Sequence, residues 1–274
     1  MGHVPQELVD KFVDELEGDH KSLRTCSLVS RCWVGRSRRH LFQTISFPAA
    51  GSFARYCRLF PPSHAVHSYV RGLAITQWNQ DPWVDENALH CGLEHLKAFH
   101  ALESLILVGV VDRFAWSYNI INALADCLRV AAPSIKTMRL AHWRVSPTVL
   151  IEFICRFPSL DSLIIEDMDY FAGLPGWRPP CNPPPFAGRF EFSNNNGHGP
   201  AEKFLRHLSR LPLGFKEISI DVAFHGTPDF VLTILERCSP TLTRLRLRCT
   251  YTPGTAMVPP SPTVDQMFNS RRNF

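Results

Sequence analysis

The chain is short of the patterns that mark catalytic and cofactor sites. No stretch approaches the roughly 18 uninterrupted apolar residues of a membrane-spanning helix. There is no phosphate-cradling glycine loop and no dinucleotide fingerprint. None of the nine cysteines stands in a C-x-x-C pair, and their number is odd. That argues against a disulfide framework and for reduced, mostly buried thiols, as in the cytoplasm or nucleus. Charge of one sign is also scarce. Lys and Arg number 29 against 25 Asp and Glu, a net charge of +4. A balance this even gives no ground for nucleic-acid binding unless the charge is concentrated. The stretch Gly35-x-Ser37 lacks the second glycine of a nucleophile elbow. His90, His95 and His100 recur every five residues, a step that does not place them on one helix face, and no zinc spacing accompanies them. The first residues, MGHVPQELVDKF, contain no apolar secretory run, and Gln6 stands where a myristoylation signal has Ser or Thr. No enzyme, metal or cofactor is therefore expected.

What the chain has is an ordinary apolar content of 45%, arranged with clear periods. Pro5 suits the first turn of a helix. Leu8, Val9, Phe12, Val13 and Leu16 form one apolar stripe, with Asp10, Lys11, Asp14 and Glu15 on the other face. Gly18 ends that helix and Asp19 can cap a second, containing Leu23, Cys26 and Leu28. Ser30 can cap a third, carrying Trp33 and reaching Leu41-Phe42. The basic cluster GRSRRH, residues 35–40, reads as a solvated face near a helix C-terminus. Three such helices hold only a small core and should lean on the rest of the chain or on a partner.

The run VPQEL, then Leu16, then LRTCSLVSRCW and SRRHLF resembles the F-box-like module, in the form common in mushroom-type fungi. Val4 stands where that module usually has Leu. The resemblance implies a three-helix unit that docks on the Skp-family adaptor of a Skp–cullin–F-box ubiquitin ligase. Carried over position by position, the adaptor-facing residues would be Pro5, Leu8, Val9, Leu16, Leu28, Val29 and Trp33. The plainer reading is that this stripe is internal core.

Beyond residue 42 a second period appears: an apolar residue, two others, an apolar, one other, an apolar. It recurs from Phe42, Val70, Leu102, Ile135, Leu160, Ala187, Phe215 and Leu242, loosely at Ala187. Helical patterns lie between: ENALHCGLEHLKAF, SYNIINALADCLRV, PTVLIEFICRF, PAEKFLRHLSRL and PDFVLTILERC. Ser146 and Thr227 are possible caps before a proline. Alternation of this kind predicts parallel strands on one side and helices on the other, each unit covering its neighbour's apolar face. The pattern resembles the leucine-rich repeat, in degenerate form. The Asn/Cys position of that repeat holds Trp78, Val110, Trp143, Met168, Ala223 and Thr250. Residues 172–200, rich in Pro, Gly and Asn, are expected as a long loop flanking a weak, edge-like repeat.

The expected architecture is α/β: a three-helix module over 4–42, an irregular leucine-rich-repeat solenoid over 42–251, and a disordered tail over 252–274. The tail shows no evident capping repeat, so a truncated array is a further expectation. Alternate strand residues should face outward, giving Glu166, Arg189, Glu217, Asp221, Arg244, Arg246 and Arg248 as a target-binding set. Glu217 with Arg244 and Asp221 with Arg248 can form a self-satisfied ladder, leaving Arg246 for a partner's acidic or phosphorylated group. The expected function is target recognition for a ubiquitin ligase, with the Skp-family adaptor, and through it a cullin, as partners. The alternatives are a ligase-independent scaffold and, with less support, a solenoid that binds nucleic acid or phosphate through Arg244, Arg246 and Arg248.

Overall fold

A computed structural model describes residues 5–48, 52–76, 86–109, 118–131, 133–170, 185–194, 198–224 and 229–251. The three expected helices are present as α1 (Gln6–Asp14), α2 (His20–Val29) and α3 (Arg31–Phe42). Pro5 stands at the N-cap of α1. Past the end of α1, Gly18 takes φ +91°, a left-handed conformation that glycine adopts without Cβ strain. The Asp19 carboxylate then accepts from the backbone N–H of Lys21 and Ser22, both at 3.1 Å, and so caps α2. A single extended residue, Ser30 (φ −157°, ψ 151°), separates α2 from α3. Val9, Val13 and Leu23 form the core of this unit, with Leu16, Trp33 and Leu41 packed against it. Asp14 locks α1 to α3. Its carboxylate accepts from Arg36 Nε and Nη2, each at 2.5 Å, and meets His40 Nε2 at 2.7 Å.

The rest of the described chain alternates strand and helix. The first part runs β1 (Thr44–Phe47), α4 (Ser52–Leu59), a 3-10 helix (Ala65–Tyr69), β2 (Gly72–Thr76), α5 (Glu86–Lys97), β3 (Ser104–Val108), α6 (Tyr118–Ala131), β4 (Thr137–Ala141), β5 (Arg144–Val145) and α7 (Pro147–Ile154). The second part runs β6 (Ser162–Glu166), β7 (Asp169–Tyr170), β8 (Phe186–Asn194), α8 (His198–Leu208), β9 (Leu213–Phe224), α9 (Asp229–Cys238) and β10 (Arg244–Tyr251). Eight strands form one parallel sheet in the order β1-β2-β3-β4-β6-β8-β9-β10, with β5 and β7 paired apart. The fold is thus α/β, with each strand of the main sheet laid beside the strand that precedes it in that sheet.

The apolar period explains this arrangement. Ile45, Leu73, Leu105, Met138, Leu163, Phe190, Ile218 and Leu245 stand in one register row. Phe47, Ile75, Leu107, Leu140, Ile165, Phe192, Ile220 and Leu247 stand in a second. Most of these side chains are buried in one continuous core, together with the inner faces of the helices. Because side chains alternate along a strand, the residues between them must face the other way. The entry to successive strands repeats one motif. The carbonyl of Gln43 accepts from Arg71 and Gly72, that of Arg71 from Glu103 and Ser104, that of Glu103 from Lys136 and Thr137, and that of Lys136 from Asp161 and Ser162. Where the leucine-rich repeat would place Asn or Cys, Trp143 and Met168 are fully buried apolar residues.

One expectation is corrected. The strand around Ala187 is not edge-like: β8 has nine residues and pairs with β6 on one side and β9 on the other. Its loose sequence match comes from Gly188, at φ +77°. A Cβ there would lie 2.0 Å from the Asp161 carbonyl oxygen. The register shifts at that point, leaving Lys216 as the extra residue of β9. The tail from 252 lies outside the described residues, as do 171–184 within the Pro-rich segment and Thr227.

Candidate functional site

Two surfaces remain after packing. The first belongs to the helical unit. Burying Val9 and Val13 against Leu23 turns the other apolar residues of α1 outward, so that Leu8 is 56% and Phe12 53% exposed. On α2, Leu28 is 87% and Val29 64% exposed. The Gln6 amide donates to the Cys32 carbonyl at 3.1 Å. This sets the start of α1 beside the α2–α3 junction, where Leu28 and Val29 sit. Of the proposed adaptor-facing set, Pro5, Leu8, Leu28 and Val29 are therefore at the surface. Leu16 and Trp33 are half-buried against the unit's own core, and Val9 is interior. Trp33 meets the ring of Phe12 with centroids 5.5 Å apart. Phe12 belongs to the same surface. The period of α1 alone does not separate it from Val13, because both lie on one wide apolar stripe.

The second surface is the outward face of the sheet. Its rows read Ser104, Thr137, Ser162, Arg189, Glu217, Arg244; then Ile106, Arg139, Ile164, Glu191, Ser219, Arg246; then Val108, Ala141, Glu166, Ser193, Asp221, Arg248. Charge gathers toward β10. Arg244 meets Glu217 at 3.2 Å and Arg248 meets Asp221 at 3.7 Å. Arg189 turns to Glu191 on its own strand, at 2.5 Å. Glu166 is brought to Arg139 of β4, at 2.7 Å, rather than to the other candidates. The alternation that puts Glu166 and Arg189 on this face puts Arg139 and Glu191 there as well. Arg246 lies across from Ser219, is exposed and, among the described residues, forms no ion pair.

The strands leave two adjoining grooves on this face. One, of about 550 Å³, is lined by residues of β8, β9 and β10 that include Arg189, Glu217, Arg244 and Arg246. The other, of about 260 Å³, includes Asp221, Arg246 and Arg248. Glu191, Ser219 and Arg246 line both. Four arginines meet three carboxylates across the pair, so one positive charge is uncompensated.

His67, Cys127 and Cys155 belong to the interior. His67 is buried against the rings of Tyr56 and Phe99, and burial lowers its pKa, so it sits there as neutral imidazole. Burial pushes the Cys127 thiol up to about 11 and the Cys155 thiol up to about 12, which makes both poor nucleophiles at neutral pH. Among the described residues, no group of three or more His, Cys, Asp and Glu could hold a metal, and no helix is long and apolar enough to cross a membrane. The His90 side chain falls outside the described residues. No protein-family model matches the chain, and no curated protein matches it significantly.

Proposed function

We propose that this chain is the target-recognition subunit of a Skp–cullin–F-box type ubiquitin ligase. In this reading residues 4–42 are an F-box-like module that docks on a Skp-family adaptor. The strand–helix units are degenerate leucine-rich repeats whose outward strand face holds a protein target. Other subunits supply the chemistry. The chain contributes proximity, raising the target's effective concentration at the transferring enzyme.

One observation carries this proposal. Leu8, Phe12, Leu28 and Val29 stay in solvent on a unit that has its own core. Four large apolar side chains left in water on so small a unit support an interaction surface there. Their spacing suits helix-on-helix anchoring. Co-expression with a Skp-family adaptor tests it. The wild-type chain is expected to purify as a stoichiometric complex, and a Leu8→Asp, Leu28→Asp double variant to stay folded but lose the adaptor. A folded wild-type chain that ignores the adaptor rejects the docking reading.

A second reading has its own observation. The helix α3 packs against both the 3-10 helix and β1, so the helical unit also touches the end strand of the sheet. As a scaffold without a ligase, the chain would use α1–α3 as an end-piece. That role leaves the exposure of Leu28 unexplained.

A further inference from the structure

The outward face is neutralised almost everywhere except at one residue. Arg244 and Arg248 hold Glu217 and Asp221, and Arg189 holds Glu191. Arg246 stands between the first two pairs on the same strand. Alternate residues lie about 7 Å apart along a strand, so the flanking carboxylates are committed to their own partners and Arg246 faces the hydroxyl-bearing Ser219 instead. It also lines both grooves, so a segment lying in either one passes its guanidinium.

We infer that Arg246 is the anchor for an acidic side chain, Asp or Glu, of a protein segment lying across β8, β9 and β10. The inference rests on the reading of this face as the target surface, and is independent of adaptor docking. Three features choose the ligand. The guanidinium offers a planar fork that matches a carboxylate with two parallel hydrogen bonds. The grooves carry a single positive charge in excess, which one carboxylate neutralises and a phosphate dianion would overrun. Ser219, directly across from Arg246, supplies a neutral hydroxyl that can donate to the same oxygen without adding charge. The carboxylates of Glu217 and Asp221 on either side disfavour a polyanion such as RNA, whose repeated charges would meet them.

The test uses the full chain and three fluorescently labelled peptides of one length: Glu alternating with Gly, Gln in place of Glu, and phosphoserine in place of Glu. Binding is read by fluorescence polarisation at low ionic strength, for wild type, Arg246→Gln and Arg139→Gln. The Glu peptide is expected to bind wild type better than the Gln peptide. Arg246→Gln should weaken it about fivefold, as expected for one exposed charge pair. Arg139→Gln, on β4 and four strands from β10, should leave it unchanged. Adding poly-uridylate RNA as competitor should not displace it.

Equal binding of the Glu and Gln peptides, insensitive to Arg246→Gln, overturns the acid anchor while leaving the face as a peptide surface. No binding of any peptide overturns both. Tighter binding of the phosphoserine peptide, dependent on Arg246, overturns the carboxylate in favour of phosphate. Displacement by RNA overturns the protein ligand. Circular dichroism of each variant checks that the fold is intact.

Discussion

The helical unit and the strand–helix region treat their apolar residues in opposite ways. From β1 to β10 most large apolar side chains of the strands go inward, and what faces out is mainly hydroxyl, small or charged, with Ile106, Val108 and Ile164 as apolar exceptions on β3 and β6. In α1–α3 the core is three residues with a few half-buried neighbours, and comparable apolar bulk is left in water. The difference follows from geometry. A strand has two faces, so alternation can send all its apolar residues one way. Each unit also finds a neighbour on either side to cover them. A short helix presents a stripe wider than one neighbour covers, and three helices do not surround one another. Surplus apolar surface is thus concentrated in the helical unit, which holds four of the seven exposed large apolar residues among those described, whereas the charged groove is a property of the register between strands.

Three substitutions would break or sharpen this contrast. The largest effect should come from Phe192→Ala, a fully buried ring stacked on Phe204 with centroids 5.5 Å apart. It is expected to cost about 3–5 kcal/mol in denaturant-induced unfolding. An intermediate effect should come from Asp14→Asn, and it should depend on pH. Hydrogen bonds from Arg36, then from His40, hold the Asp14 carboxyl well below the usual carboxylate range. A depressed folded-state pKa means the link stabilises fully above the unfolded value of about 3.9 and fades as acid protonates the folded carboxyl. The melting temperature of wild type should therefore fall more than that of the variant between about pH 5 and pH 2, with the gap greatest at neutral pH. A gap that does not change with pH would show that Asp14 acts by packing alone. The smallest effect should come from Leu28→Ser, which removes an almost fully exposed side chain and should change unfolding free energy by no more than about 0.5 kcal/mol. A loss as large as that at Phe192 would mean that Leu28 is covered in solution, by this chain or by a second copy.

Much of the sheet was legible because period two is written plainly in Leu73–Ile75, Leu105–Leu107 and Leu163–Ile165. The same alternation foretold the pairs Arg244–Glu217 and Arg248–Asp221, which need only correct register. The cap at Asp19 was legible from side-chain chemistry, whereas Ser30 stands at the N-cap of α3 without a side-chain cap hydrogen bond. Other features depended on distant partners. Nothing local to Leu8, Val9, Phe12 and Val13 says which two face Leu23. The element α4 and the 3-10 helix were missed, since RYCRLFPPSHAVHSY is broken by Pro61 and Pro62 and keeps no long period. The two-residue strands β5 and β7 form because His142 and Asp167 take positive φ (56° and 46°) at equivalent turns, a conformation their sequences do not announce. Gly188 disguised β8, because its role is set by the Asp161 carbonyl, 27 positions away.

The strand order has an evolutionary consequence. No strand of the main sheet is inserted between two that precede it in the chain, so a unit can be duplicated or deleted without rethreading the remainder. Each such event would lengthen or shorten the outward face by one strand, about 4.8 Å, while preserving the rows on either side. The grooves beside Arg246 are shared among β8, β9 and β10, so such an event among those three strands would remake them, whereas one nearer β1 would leave them intact.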